Sequence, residues 1–233
     1  MQRILRCAYH NGMGVSVEDD GETRGAKART RRLMVTTAIG LMQRGETPSV
    51  SGVAEAAGVS RATAYRCFPS QAALVQTVVD EALGPILGWT SSSTSASERV
   101  DDLLSSSFAR IVEFESTFKA ALKLSLEQWA QDRAGTLGEE EAFKRGHRVE
   151  LLQKAIEPLR AELGNKRFLR LARALSLTYG LEVLIVLKDM WGLSSRQMQE
   201  TARWAAKAMV DAALSEARNE TIASGAKTGG AQG

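Results

Sequence analysis

The fold is decided by residues 49–74, SVSGVAEAAGVSRATAYRCFPSQAAL. Ser49 is a favourable N-cap, because its hydroxyl accepts a hydrogen bond from a backbone N–H at the start of a helix. Val53 and Ala54 then give a short first helix one apolar face. Gly58 ends that helix, since glycine adopts a positive φ without steric cost. The pattern predicts the first half of a helix-turn-helix.

The second helix of this motif is predicted from Arg61 to about Phe68, with Ser60 as its N-cap. Ala64 and Phe68 lie one turn apart and face inward. Arginine binds guanine edges or phosphates, and the hydroxyls of Thr and Tyr reach phosphates. This composition predicts a DNA-binding helix, although an ordinary helical hairpin with a solvated basic face has the same core pattern. The outer face carries Arg61, Ala62, Thr63, Tyr65 and Arg66.

The segment AEAAGVSRATAYRCFPSQAAL resembles the DNA-binding segment of TetR-family transcriptional regulators. The shared pattern is an alanine-rich helix, G-V-S, a short recognition helix with Tyr, then Phe and a helix opened by Ser. The resemblance spans about residues 33–83. Gln71 stands where the family usually has lysine, so one phosphate contact loses its charge. Cys67 stands where an aromatic residue is usual, which leaves a smaller side chain at a packing position.

The excess positive charge lies around this motif. Residues 25–69 contain seven basic and two acidic residues, whereas the rest of the chain contains 23 basic and 25 acidic residues. Such a basic patch attracts the DNA backbone. The run GAKARTRR forms a basic arm that leads into a first helix ending near Arg44. We expect this arm either to contact DNA phosphates or a minor groove, or to be only the solvated start of the helix. The predicted DNA-binding residues are Lys27, Arg29, Ser49, Ser60, Arg61, Ala62, Thr63, Tyr65, Arg66 and Gln71.

The whole chain is predicted to be all-α, with about nine helices and no strand pattern. We expect a disordered leader over residues 1–26, in which either Met1 or Met13 is the true start. A helix-turn-helix head follows over 27–88. The polar run TSSSTSAS at 90–97 separates it from a helical body over 97–217. The polar, Gly-rich segment 218–233 is predicted to be disordered.

The body reads as consecutive amphipathic helices. One is predicted over 139–163, kinked or ended by Pro158. Two long helices are predicted over 166–191 and 194–217. The first of them is apolar nearly all round from Leu175 to Leu187, so one face needs a partner. We therefore expect a homodimer formed through the last two helices, as the TetR resemblance also implies.

The resemblance further implies that the body binds a small molecule, which weakens DNA binding. Apolar faces that converge with a few polar groups form such sites. Glu182 lies in an apolar run, where it either pairs with an arginine in a structural bridge or recognises a ligand. His147 either joins the site or lies at the edge of a solvated face. The candidate effector-binding residues are Phe118, Leu122, Trp129, Phe143, His147, Tyr179 and Glu182.

Other classes of protein are disfavoured. The chain shows no paired catalytic carboxylates, no metal-ligand cluster, no Gly-rich phosphate loop and no Ser/His/Asp signature, so we expect neither enzyme, metal nor cofactor. Cys7 and Cys67 suggest no disulfide framework, which suits a reducing cytoplasm. The longest strongly apolar run, Val183 to Leu187, is too short to cross a membrane. The favoured function is a repressor of a near-palindromic DNA site, released by an unknown effector; the alternative is a dimeric DNA-binding protein without an effector.

Overall fold

The structure is a computed structural model that describes residues 17–139, 141–143 and 146–229, and the side chains of these residues from 25 to 220. The described residues form ten α-helices and no strand, so the all-α prediction is confirmed. The helices are α1 Val17–Gln43, α2 Val50–Ala56, α3 Arg61–Cys67, α4 Gln71–Leu83, α5 Ala96–Glu113, α6 Glu115–Arg133, α7 His147–Ala155, α8 Arg160–Leu175, α9 Leu181–Leu184 and α10 Ser195–Gly229.

Three serines start the helices that follow α1. Ser49 Oγ accepts from the backbone N–H of Gly52 at 3.1 Å. Ser60 and Ser70 cap α3 and α4 in the same way. Their hydroxyl oxygens accept from the backbone N–H groups of Thr63 and Ala73, at 3.3 and 3.1 Å. Each bond satisfies one of the backbone donors that a helix leaves open at its first turn. The N-caps predicted at Ser49 and Ser60 are therefore confirmed.

The head and the body share one apolar core. In the head, Met34 and Ala38 of α1 meet Val53 of α2, Ala64 of α3 and Leu74 of α4, all of them fully buried or nearly so. Helices α1 and α4 also pack against α6. The core continues through α5, α7 and α8 to α10. Between α4 and α5 the chain forms a short 3₁₀ turn, Gly84–Gly88, and then an irregular segment at 89–95.

Helix α1 begins earlier than the sequence suggested. It starts at Val17, so residues 17–26 are helical and the prediction of a disordered leader over 1–26 is wrong for them. Residues 1–16 lie outside the described residues. A helix extends upstream more easily than it starts, because adding one residue to an existing helix avoids the cost of nucleation.

The predicted helix over 139–163 is shorter and divided. Helix α7 begins at His147 and ends at Ala155, and a 3₁₀ turn, Glu157–Leu159, follows before α8. Pro158 lies in that turn, where its missing N–H and fixed φ end an α-helix. The prediction of a kink or end at Pro158 is therefore confirmed, whereas the predicted start at residue 139 is wrong.

The predicted single helix over 166–191 is wrong, because the chain breaks between α8 and α9. Gly180 has φ +111°, a backbone conformation that residues with a Cβ rarely adopt. The guanidinium of Arg148 fills the space beside Gly180 and donates to the carbonyls of Ser176 and Tyr179, at 3.3 and 3.1 Å. These bonds satisfy the carbonyls that the break exposes.

After the break, α9 runs directly into a π-helical segment, Ile185–Met190. Lys188 pairs with Glu115 of α6, and Lys119 bridges Glu115 and Asp189 at 2.8 and 2.7 Å. Burial raises the pKa of Glu115, but the hydrogen bonds from Lys119 and Lys188 outweigh it and leave the pKa lowered. The ion pairs thus fasten the π-helical segment to α6.

The prediction of a disordered tail over 218–233 is wrong for residues 218–229, because α10 continues to Gly229. Residues 230–233 lie outside the described residues. Arg170 and Arg167 of α8 pair with Glu216 and Glu220, so the last described turns of α10 are held against α8. Every three or four residues, α10 also buries a small or medium apolar side chain: Met198, Ala202, Ala206, Val210, Ala213 and Ala217.

The break at Gly180 generates a stability prediction. Gly180→Ala forces a Cβ to within 3.0 Å of the Arg148 guanidinium at a positive φ, so we expect the free energy of unfolding to fall by about 1–3 kcal/mol. The matched change is Gly40→Ala inside α1, where nothing lies within 4 Å of the new Cβ. This variant should raise the free energy of unfolding by about 0.5–1 kcal/mol. Denaturant unfolding followed by circular dichroism measures both. The same sign for both variants would contradict this account of the break.

Candidate nucleic-acid interface and ligand cavity

Helix α3 presents a polar, basic face to the outside. Arg61, Ala62, Tyr65 and Arg66 are exposed and Thr63 is half-buried. On the opposite face Ala64 and Cys67 are buried, and Phe68 follows with 1% of its surface exposed. The residues predicted to face outward and inward on this helix therefore lie as expected. Whether the outer face binds DNA stays a prediction.

Short polar contacts order this outer face. Ser60 Oγ lies 2.9 Å from Thr63 Oγ1, and Arg66 donates to Thr63 Oγ1 at 3.3 Å. Tyr65 Oη lies 3.2 Å from Ser51 Oγ on α2, which holds the ring, 48% exposed, between the two helices. The two helices of the motif thus present one shared polar surface, with backbone donors at the N-terminal ends of both.

Five of the predicted DNA-binding residues lie outside α3, and two of them, Ser49 and Ser60, are the N-caps of α2 and α3. Lys27 and Arg29 are exposed within α1, so they belong to a helix and not to an extended arm. Gln71 is half-buried at the start of α4, where its amide donates to the carbonyls of Thr47 and Pro48 at 3.4 and 3.0 Å. Gln71 thus anchors the loop that precedes α2.

A small cavity of about 110 Å³ lies in the body, next to α4. Most of its wall is apolar, with Val79 and Leu83 contributed by α4 and Ile111 by α5. Five of the seven residues predicted from the sequence line it: Phe118, Leu122, Phe143, His147 and Tyr179. An adjoining cavity of about 410 Å³ shares Phe143 and His147 and is also lined by Gln76 of α4.

The other two predicted effector residues lie elsewhere. Trp129 is 61% exposed near the end of α6, whereas Gln128 beside it is 4% exposed, so Trp129 lies on the outer face of the helix. Glu182 pairs with Arg148, as the structural-bridge alternative for this carboxylate supposed. Arg148 itself lines the cavity, although the sequence pattern did not single it out.

Tyr179 lines the cavity and is buried. Its hydroxyl donates to Ser107 Oγ at 3.0 Å. Burial raises the pKa of the Tyr179 phenol, and the hydrogen bond to Ser107 and the nearby charge of Arg148 oppose that rise only in part. The phenol therefore stays neutral at physiological pH and adds no negative charge to the cavity wall.

His147 connects the cavity to the head. Its Nε2 lies 2.9 Å from Asp80 Oδ1 and 3.2 Å from Gln76 Nε2, both on α4. Gln76 also donates to Asp80 Oδ1 at 2.9 Å. The side chain is therefore neither free in solvent nor buried in the core. Asp80 and Gln76 were missed from the sequence, since their polar side chains lie beside the apolar stripe of α4.

An exposed apolar surface lies on the last helical segments of the chain. Met190, Trp191 and Trp204 are each more than 70% exposed, and Val186 is 44% exposed. On α10, exposed Ala208 and Ala212 continue the line of Trp204 at helical spacing. Large exposed apolar side chains that form one patch are typical of a surface that another molecule covers.

The described residues contain no group of three or more His, Cys, Asp or Glu side chains placed to hold a metal ion. None of the helices in the described ranges combines the length and the apolar character needed to cross a membrane.

Comparison with solved structures finds a crystal structure of a TetR transcriptional regulator from Rhodococcus sp. RHA1. The two chains are 22% identical and superpose with a TM-score of 0.52, over 78% of this chain and 96% of that one. No protein-family model matches the chain, and no curated protein matches it either. The match shows a TetR-like fold, a helix-turn-helix followed by a helical body, and so confirms the fold that the sequence resemblance implied.

Proposed function

We propose that this TetR-like chain is a dimeric transcriptional regulator that binds a near-palindromic DNA site through α3. The observation that carries the proposal is the outer face of α3. It exposes Arg61, Tyr65 and Arg66 on a helix whose other face is buried and whose first turn is capped by Ser60. Arginine on a helix of this kind binds base edges or phosphates in the major groove. By the TetR resemblance, repression is the favoured mode, in the cytoplasm.

The proposed dimer forms through the exposed apolar surface of the last helices. Trp191 and Trp204 lose most of their exposed area if a second copy covers them, and aromatic side chains contribute strongly to such interfaces. The alanines beside Trp204 permit a close approach of two helices. A symmetric dimer presents two copies of α3, which fits two half-sites one turn of DNA apart.

The proposed effector is a small, largely apolar molecule that enters the cavity beside α4. The wall supplies leucine, valine and phenylalanine side chains, and its few polar groups are Arg148, His147 and the neutral Tyr179. A ligand that displaces His147 removes its contact with Asp80, which is one of the contacts that hold α4 against the body. In this way occupancy of the cavity weakens DNA binding.

A specific observation favours the second candidate, a regulator without an effector. The inner cavity of about 110 Å³ is smaller than the roughly 300–1,000 Å³ of ordinary ligand sites. A bound effector therefore either has few heavy atoms or extends into the adjoining cavity of about 410 Å³.

DNA fragments selected by the purified protein should contain an inverted repeat with half-sites about one helical turn apart. Arg66→Ala should weaken binding to that site by about 1–3 kcal/mol if Arg66 contacts a base. The control Arg173→Ala removes the same charge from an exposed position on α8 and should leave affinity unchanged. A loss that is equal on all sequences, with a shallower salt dependence, would instead assign Arg66 to phosphate. Failure to enrich any sequence would overturn the proposed function.

Trp204→Glu should convert the dimer to a monomer, because an unpaired carboxylate would become buried in the interface. Analytical ultracentrifugation measures the change, and affinity for the selected DNA should fall with it. The matched variant Trp129→Glu replaces a tryptophan that is also mostly exposed, on α6, and should remain dimeric. If Trp204→Glu sediments like the unmodified protein, the interface lies elsewhere.

Leu122→Trp should fill the cavity and abolish release from DNA by small apolar compounds, while affinity without compound stays the same. Leu126→Trp is the control, because Leu126 lies one turn further along α6 and is 57% exposed. Competition binding with a panel of alkanols and substituted benzenes measures release. If no compound releases the unmodified protein and Leu122→Trp is more stable than it, the effector-less alternative is favoured.

A further inference from the structure

Arg31 of α1 touches the end of the recognition helix. Its Nη1 donates to the carbonyl of Cys67, the last residue of α3, at 3.1 Å. Its guanidinium carbon lies 4.5 Å from the centre of the Phe68 ring. Its Nη2 donates to Thr77 Oγ1 on α4 at 3.1 Å. One side chain therefore joins α1, α3 and α4.

Each contact suits the chemistry of an arginine. The last carbonyls of a helix lack partners within the helix, and a cation at that end is favoured by the helix dipole. A guanidinium also stacks on an aromatic ring and offers several donors in one plane. The hydroxyl of Thr77 donates to the carbonyl of Ala73 at 3.0 Å, which leaves its oxygen free to accept from Arg31.

The contact matters because α3 contains only seven residues. A helix this short has no stability of its own, so its direction is set by its neighbours. Arg32, the next residue in α1, makes no side-chain hydrogen bond or ion pair with the residues that the structure describes. The two adjacent arginines are therefore unlike in their surroundings, although they contribute equally to the charge of the head.

We propose that Arg31 is a positioning residue for DNA recognition, which fixes the direction of α3 relative to α4 and so determines sequence discrimination. The inference rests on the proposed DNA-binding function of α3. It assigns Arg31 a role other than contact with phosphate, which its place in the basic run alone would suggest.

The two roles predict different behaviour for a conservative change. Arg31→Lys keeps the charge but loses the planar stack and cannot reproduce both hydrogen bonds. Thr77→Val removes the accepting hydroxyl without any change of charge. If Arg31 positions α3, both variants should lose more affinity for the selected site than for a scrambled site. For a phosphate contact Arg31→Lys should keep most of its affinity and Thr77→Val all of it.

The experiment measures affinity for the selected and scrambled sites over a range of salt concentrations, with the full-length protein. We expect the ratio of the two affinities to fall about tenfold for Arg31→Lys and severalfold for Thr77→Val. The slope of log affinity against log salt should stay unchanged in both. The control Arg32→Ala should keep the ratio, with a slope shallower by about one if Arg32 contacts phosphate.

Amide hydrogen exchange over residues 61–67 gives a readout that needs no DNA. Faster exchange in Arg31→Lys and Thr77→Val than in Arg32→Ala is expected, with unfolding temperatures that show all three to be folded. A wild-type protein that does not discriminate between DNA sites overturns the proposed function, and the exchange rates then still test the contact. Wild-type discrimination together with unchanged ratios and exchange in Arg31→Lys and Thr77→Val overturns the role of Arg31.

Discussion

The head of this protein depends on the contacts that fix α3, a helix that is too short to be stable in isolation. Seven residues form about two turns, and isolated helices of that length are unstable in water. Helix α3 is therefore fixed at both ends and along one side. Ser60 satisfies its first turn, Ala64 is buried against α2, and Phe68 anchors its last turn beneath Arg31. The exposed face has a defined direction only because these contacts determine it.

In the body, the chain breaks between α8 and α9 and the carbonyls at the break must be hydrogen-bonded. Arg148 satisfies two carbonyls of the break and pairs with Glu182 beyond it. The residue before it, His147, contacts α4. The first turn of α7 therefore contacts both the segment that leads into α9 and helix α4 of the head. The cavity lies at that junction, next to the elements whose placement depends on the same two side chains.

The sequence predicted what depends on local chemistry and missed what depends on distant partners. The serine caps and the inward face of α3 follow from residues within a few positions of each other, and five candidate cavity residues follow from helical spacing. The break at Gly180 requires Arg148, which is distant in sequence. The extended part of α10 is paired with α8 through Arg167, and Arg170 pairs with Glu216 just before it. Hydrophobic period and composition carry no information about such pairs. The helix predicted over 166–191 was therefore too long, and the helix predicted over 194–217 was too short.

Helix α4 links the cavity to the contacts that hold α3. Val79 and Leu83 line the cavity, Gln76 and Asp80 hold His147, and Thr77 holds Arg31. Because these residues lie within two turns of one helix, a shift of α4 against the body is also a shift of Thr77 against Arg31. In the proposed regulator, cavity occupancy thus needs no change within α3 itself. In that proposal, a rigid displacement of α4 would redirect α3 through contacts that are already present.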